Sequence, residues 1–154
     1  MIRAYRICQQ RYAHTAFDGE GARLYGGRWN SKGTPMVYLA GSVALAQLEM
    51  LVHLDSDSVL MQRYVVIPVD IPESVVAPLP TEEVPTEWDS AGSRQQTVRT
   101  GDDWSRSRRS AVLKVPSAVV PIEFNFLANP LHADFAKIHI GAPISLRFDA
   151  RLAR

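Results

Sequence analysis

Three side chains with complementary chemistry lie within residues 21–49 of this chain. Arg28 follows a Gly-Gly pair, Tyr38 stands in a short apolar run, and Glu49 falls in a stretch that is otherwise almost entirely apolar. An arginine offers paired donors that match phosphate oxygens, and a neighbouring glycine such as Gly27 lets a ligand approach the backbone closely. Together with an aromatic platform and a lone carboxylate, this cation could hold a dinucleotide while its glycosidic bond is opened.

Most of these residues also have a purely structural interpretation. A Gly-Gly pair can simply form a turn, and Arg28 alone could be the partner of a surface acid. Trp29 belongs to a residue type that is found more often in a core than as a ligand platform. Tyr38, in an apolar strand, could be a core tyrosine whose hydroxyl is satisfied.

Glu49 is harder to explain by structure alone. A carboxylate flanked by Leu48 and Met50 is costly to desolvate without a partner, so it needs a cation, water or a functional cleft. His53, one helical turn further on, could supply a structural partner. The sequence therefore leaves both interpretations of Glu49 open.

The predicted elements are mostly short strands. Ser42 can cap a helix that places Glu49 just beyond the edge of its apolar stripe, at a rim. The stripe residues recur at helical spacing: Ala44, Leu45, Leu48, Leu51 and Val52. Strands are predicted at residues 2–7, 36–40, 64–69, 111–115, 118–124 and 144–148, with short helices near 103–104 and at 131–137. Because the strands do not alternate regularly with helices, we expect an α+β fold with mixed or antiparallel sheets.

Two connections have distinctive compositions. A proline cannot donate a ladder hydrogen bond, so Pro68 predicts an edge position or a bulge within its strand. The acidic, proline-rich residues 68–85 are expected to form an extended surface connection. Residues 90–109 are rich in arginine, and the simplest interpretation is a solvated helical face.

Composition limits the classes of function. The 154 residues fit a single domain spanning 1–154, and the formal charge of +1 gives no general attraction to nucleic acid. Cys8 is the only cysteine, so we expect no disulfide and no thiolate zinc site, and a reducing, cytoplasmic setting. No signal peptide or membrane-spanning segment is expected. We also predict no bound metal, because the histidines lack ligand spacing: His14, His53, His132 and His139.

Three blocks of the sequence resemble the RES-domain toxins of bacterial toxin–antitoxin pairs. They are GGRWNSKGTPMVYLAGSVALAQLE, then GDDW, then LKVPSAVVPIEFNFLANPLHADF, in the family's order and over most of the chain. The family is named after an arginine, a glutamate and a serine, which match Arg28, Glu49 and Ser117 here. By its local sequence alone, Ser117 would be interpreted as a turn serine, since it lacks the glycine-flanked elbow of a hydrolase nucleophile.

The resemblance implies a compact fold similar to that of ADP-ribosyltransferases, with NAD⁺ as the substrate and no separate cofactor. Depletion of NAD⁺ would be the toxic outcome, and a helix-turn-helix antitoxin would block the site. Water, phosphate and a macromolecule all remain open as acceptors, the last of these describing a mono-ADP-ribosyltransferase. A non-catalytic module that docks an acidic partner through residues 90–109 is the alternative from another class.

The roles expected under this interpretation can be assigned residue by residue. Glu49 would stabilise the positive charge that develops on the ribose, and Ser117 would orient the nucleophile or a phosphate. Arg28 would hold the pyrophosphate, with Arg6 on the first strand as a second cation. Tyr38 would position the nicotinamide ribose or stack on its ring. Gly27 and Trp29 are also expected to bind the substrate.

Overall fold

The computed structural model describes residues 1–54 and 56–153. Its strands in chain order are β1 Ile2–Gln9, β2 Val37–Ala40, β3 Tyr64–Ile71, β4 Val76–Pro78, β5 Val112–Pro116, β6 Phe124–Ala128, β7 His139–Ile140 and β8 Ile144–Leu146. Its α-helices are α1 Glu20–Tyr25, α2 Val43–Leu51, α3 Asp57–Leu60 and α4 Arg94–Ser107.

Within the described residues, the eight strands form one mixed sheet. Its order is β4-β5-β6-β2-β1-β3-β7, and β8 pairs with β3 beside β7. The β4–β5 pair is parallel and the other pairs are antiparallel. This arrangement confirms the predicted α+β class. For five of the six predicted strands, both ends agree with an observed strand to within two residues. The exception is the strand predicted at 118–124.

The hairpin between β5 and β6 explains why the strand predicted at 118–124 was wrong. Pro116 pairs with Phe124, so residues 117–123 form the connection and the strand begins where the prediction ended. The Ser117 side chain accepts hydrogen bonds from the backbone amides of Val119 and Val120, at 3.1 and 3.0 Å. A side chain that takes the backbone donors of the following residues favours a turn over a strand.

Pro68 was predicted at an edge position or a bulge, and it lies in an interior strand where the pairing on one side is interrupted. The β3 strand pairs with β1 on one side and with β7 and β8 on the other. The Pro68 carbonyl accepts a hydrogen bond from the Gly141 amide at 2.8 Å, so it points toward β7 and β8. The N–H and C=O groups of a residue in a strand point to the same side, so the missing N–H of Pro68 lies there too. The proline is tolerated because its missing donor falls between β7 and β8, where strand pairing is interrupted.

Helix α2 is capped as predicted but buries a different face. The Ser42 hydroxyl accepts a hydrogen bond from the Leu45 amide at 3.0 Å. Leu45 and Ala46 are buried against the sheet, whereas Leu48 and Val52, expected in the core, are 41% and 51% exposed. An almost uniformly apolar helix has no clear stripe, so its packing against the sheet decides which face is buried.

Helix α4 is longer than the sequence predicted and begins well before Asp103. It runs for 14 residues and buries one side against the rest of the chain, including Thr97, Gly101 and Trp104. A Cβ atom at Gly101 would overlap the carbonyl oxygen of Trp29, so the helix meets the segment that carries Arg28 at close range. The arginines of residues 90–109 are exposed, as the interpretation of a solvated helical face expects: Arg94, Arg99, Arg106, Arg108 and Arg109.

Two further connections contain short helices. The loop between β1 and β2 contains a 3-10 helix at Gln10–Thr15 and then α1. The acidic residues 68–85 contain the end of β3, all of β4 and two 3-10 turns, so only part of this stretch is the extended connection that was predicted. The helix predicted at 131–137 is a 3-10 helix at Ala133–Lys137.

Among the helices of the described residues, none has the length and apolar character needed to cross a membrane.

Candidate functional site

Two packed clusters share the sheet face that carries the candidate site. Helix α2 packs with Ile7, Ala40 and Val66 in one cluster, while Trp29 and Leu127 belong to the other. Ala40 of β2 lies in register with Asn125 of β6, and Tyr38 and Leu127 project from the same face two residues along each strand. Asn125, which bonds Glu49, lies where the two clusters meet, and Tyr38 lies two residues along β2 from its partner Ala40.

Glu49 extends from α2 to this meeting point. It follows Leu45 by one helical turn and therefore lies on the side of the helix that faces the sheet. Its Oε1 atom accepts hydrogen bonds from the Ser117 hydroxyl and from Nδ2 of Asn125, both at 2.7 Å. Within the described residues, Oε2 accepts no hydrogen bond and neither oxygen forms an ion pair. His53, the structural partner considered for Glu49, is exposed beyond the end of the helix.

The structure brings Ser117 to Glu49 across 68 positions of sequence. Ser117 is fully buried, and its oxygen also accepts the two amide hydrogen bonds that shape residues 117–123. The single hydroxyl proton is therefore committed to the carboxylate. Ser117 is both the turn serine that its local sequence indicated and a direct partner of Glu49.

Asn125 is the second partner of Glu49, and sequence reasoning missed it. The amide must present Nδ2 to the carboxylate, which fixes the orientation of the side chain. Its Oδ1 atom is buried and has no hydrogen-bond partner among the described residues. Leaving such an acceptor unpaired costs about 1–3 kcal/mol. The only sequence signal was a polar residue inside the apolar run FNFLA, next to the misplaced strand.

Tyr38 fixes the loop that precedes β2. Its hydroxyl donates to Oδ1 of Asn30 at 2.6 Å and accepts a hydrogen bond from the Trp29 amide at 3.0 Å. A Cβ atom at Gly27 would lie 2.6 Å from the Tyr38 hydroxyl oxygen, so only glycine fits beside it. Burial raises the pKa of Tyr38, while the nearby cations Arg94 and Arg28 act in the opposite direction.

Arg28 lies beside the first turn of α4. Its Nη1 donates to the carbonyl of Trp88 at 3.2 Å, and its own carbonyl accepts the Thr97 hydroxyl at 2.6 Å. A guanidinium has five N–H donors, and in the described part of the chain this is its one side-chain hydrogen bond. Most of its donors can therefore bind an anion. Arg94, one turn before Thr97, adds an exposed cation near Tyr38, and no local sequence pattern marked it as a site residue.

Two residues predicted to bind substrate occupy other positions. Trp29 is only 2% exposed and packs in the core near Trp88, with ring centroids 6.4 Å apart, so its indole offers no open platform. Tyr5 of β1 pairs with Ala40 and therefore points to the face that carries Asn125. Arg6 is the next residue of the strand, so its side chain points to the opposite face of the sheet. The structure therefore does not bring Arg6 together with Glu49.

The environment of Arg6 is consistent with a structural role. Its Nη1 donates to the backbone carbonyl of Tyr38 at 3.2 Å, and Nε is buried without a partner among the described residues. Burial lowers the pKa of Arg6. Its role as a second pyrophosphate cation stays a prediction, and this placement does not support it.

The fold and the site define an α+β protein with a carboxylate held by two neutral donors and with arginines in the neighbouring loop and helix. The family model of the RES domain matches residues 3–149, and the chain belongs to that family. It is 38% identical over 151 residues to Toxin Res of Photorhabdus laumondii, covering 97% of this chain and 96% of the relative. The assignment made from the three sequence blocks is therefore confirmed, and the chain is a RES-family toxin.

Two other comparisons agree with this assignment. The chain is 37% identical over 155 residues to the Prs ADP-ribosylating toxin of a Sphingobium species, covering 97% of this chain and 96% of the relative. A chain in the crystal structure of the M. tuberculosis MbcT–MbcA toxin–antitoxin complex has the same fold, with a TM-score of 0.77 at 19% identity. That match covers 94% of this chain and 84% of the other.

Proposed function

We propose that this toxin cleaves the nicotinamide–ribose bond of NAD⁺ as a glycohydrolase or phosphorylase and so depletes cellular NAD⁺. The observation that carries the proposal is the state of Glu49. One carboxylate oxygen is held by Ser117 and Asn125, while the other has no hydrogen-bond partner in the described part of the chain. Neutral donors fix the carboxylate without cancelling its charge.

The chemistry of NAD⁺ suits such a group. Nicotinamide is already a cationic leaving group, so cleavage needs little acid assistance and passes through an oxocarbenium-like ribosyl centre. Glu49 accepts a hydrogen bond from a ribose hydroxyl and stabilises the positive charge as it grows in the transition state. Ser117 acts by holding Glu49 in position, because its only proton is already donated.

The remaining residues bind the rest of the dinucleotide. Arg28 holds the pyrophosphate, and the backbone at Gly27 allows close approach. Tyr38 positions the nicotinamide ribose through its ring, because its hydroxyl is already engaged with Asn30 and Trp29.

The test is the NAD⁺ concentration over time with purified protein from which any co-purifying inhibitor has been stripped. Release of nicotinamide supports the proposal, and product masses with and without inorganic phosphate distinguish hydrolysis from phosphorolysis. Stable NAD⁺ together with salt-sensitive binding of an acidic partner would favour the non-catalytic module instead.

A second candidate is a mono-ADP-ribosyltransferase that modifies a macromolecule. The observation that favours it is the printed name of the Sphingobium relative, an ADP-ribosylating toxin. The two activities would use the same residues. Incubation with labelled NAD⁺ and a cell extract separates them, since a transferase leaves label on a macromolecule and a hydrolase or phosphorylase leaves only small products.

The proposed partner is a helix-turn-helix antitoxin that covers the Glu49 site. The M. tuberculosis protein of the same fold was crystallised in a toxin–antitoxin complex. Leu48 of α2, the helix that carries Glu49, and Val52 just after it are exposed, and they offer apolar area for such a contact. Adding the purified antitoxin should stop NAD⁺ loss, and continued loss in a formed complex would exclude a blocked site.

The Arg28→Ala variant should mainly weaken NAD⁺ binding. We expect the Michaelis constant to rise roughly ten- to hundredfold with a smaller change in kcat, as for the loss of a hydrogen bond to a charged group. Arg106→Ala is a matched control, because it removes the same charge from an exposed ion pair with Asp103. An unchanged Michaelis constant in Arg28→Ala would contradict the role of Arg28.

A further inference from the structure

The two polar atoms of the Asn125 amide differ, because one forms a hydrogen bond and the other does not. Nδ2 donates to Oε1 of Glu49 at 2.7 Å, and Oδ1 is buried without a donor among the described residues. A buried carbonyl oxygen gains stability when a donor reaches it. Asn125 as a whole is only half-buried, so a molecule bound at the site can supply that donor once the amide turns toward it.

The geometry places two acceptors next to each other. The amide of Asn125 is planar, so the bond from Nδ2 to Glu49 fixes Oδ1 close to the carboxylate. The second oxygen of Glu49 also lacks a hydrogen bond within residues 1–54 and 56–153. Two neighbouring acceptors match two neighbouring donors, and the cis-hydroxyls of a ribose are such a pair.

We infer that Asn125 is a positioning residue that holds Glu49 through Nδ2 and binds the 3′-hydroxyl of the nicotinamide ribose through Oδ1. Glu49 then takes the adjacent 2′-hydroxyl, which is nearer to the carbon where charge develops. Oδ1 is buried in this structure, so binding requires the Asn125 amide to turn until Oδ1 faces the sugar while Nδ2 keeps its bond to Glu49. This inference rests on the proposed cleavage of NAD⁺.

Asn125 would also discriminate between substrates. A sugar without the 3′-hydroxyl would leave Oδ1 unpaired in the complex, and sites with an unpaired polar group reject such analogues strongly. The predicted preference is therefore for an intact cis-diol on the nicotinamide ribose.

The experiment compares NAD⁺ with an analogue whose nicotinamide ribose lacks the 3′-hydroxyl, for the unaltered chain and for Asn125→Ala. The unaltered chain should lose roughly tenfold or more in kcat/KM on the analogue. Asn125→Ala should lower kcat on NAD⁺ by a similar factor and remove most of the difference between the two substrates. An unchanged penalty on the analogue in Asn125→Ala would overturn the inference.

A second variant separates the two ends of the side chain. Asn125→Asp keeps an acceptor at the Oδ1 position but replaces the donor to Glu49 with a like charge, so kcat should fall while the analogue penalty remains. A loss of the penalty in this variant would contradict binding by Oδ1. Asn129→Ala is the matched control: Asn129 is buried, whereas Asn125 is half-buried, and the amide of Asn129 bonds Ser105 and Leu131 instead of Glu49. It should lower stability and leave the penalty unchanged.

Stability of each variant, measured by thermal unfolding, shows whether a loss of rate reflects a loss of fold. The activity of the unaltered chain distinguishes a failure of the proposed NAD⁺ cleavage from a failure of the role of Asn125. If it releases no nicotinamide from NAD⁺, the proposed function itself fails. If it does so but shows no preference for the 3′-hydroxyl, only the role of Asn125 fails.

Discussion

The Glu49→Gln variant is expected to lose NAD⁺ cleavage while keeping its fold. Glutamine has the same shape, and its carbonyl oxygen can still accept the hydrogen bonds from Ser117 and Asn125. Its amide nitrogen, however, places a donor where the ribose hydroxyl needs an acceptor. The negative charge that stabilises the ribosyl cation is also removed. We expect kcat to fall by a factor on the order of 10²–10³ or more, as when a single preorganised electrostatic group is lost.

The measurement is nicotinamide release under single-turnover conditions, with thermal unfolding to establish that the variant is folded. Glu82→Gln is the matched control, because it makes the same chemical change at an exposed acid far along the chain from the site. It should retain full activity. Full turnover by a well-folded Glu49→Gln protein would remove Glu49 from the mechanism.

Local sequence signals predicted the strands and the helix cap well. Alternation in β1, the apolar run of β2 and Ser42 before α2 act over a few residues, and the structure agrees at each of these places. The errors arose where distant contacts decide the outcome. Helix α2 is apolar on nearly all sides, so only the sheet determines that Leu48 is exposed and Glu49 faces inward.

The candidate site shows the same limit. Arg28 and Glu49 were identified by residue type, and Ser117 by resemblance to the RES family. The partnership of Glu49 with Ser117 and Asn125 joins residues 68 and 76 positions apart, which no local pattern reveals. Asn125 was missed because the turn shaped by the Ser117 hydroxyl was predicted as a strand. The face on which Arg6 lies could not be predicted, because its pleat position depends on its pairing with Ile67.

The Gly101→Ala variant should be strongly destabilised. At most helix positions, replacing glycine with alanine stabilises the helix by up to about 1 kcal/mol. At Gly101 the new methyl group would overlap the carbonyl oxygen of Trp29, which is backbone and cannot rotate away. Either α4 or the segment around Trp29 must move, and overpacking of this kind costs about 1–3 kcal/mol or more. Urea denaturation should show a lower midpoint.

Gly21→Ala gives the matched control for this change, because Gly21 lies in α1 with no atom within 4 Å of an added Cβ. This variant should be as stable as the unaltered chain or slightly more so. Since α4 contacts Trp29 and bonds the Arg28 carbonyl through Thr97, Gly101→Ala should also raise the Michaelis constant for NAD⁺ at temperatures where the protein stays folded. The bonds of Glu49 to Ser117 and Asn125 lie on other elements, so kcat should change less. Equal stability of the two alanine variants would show that α4 does not hold the Arg28 segment as closely as the structure indicates.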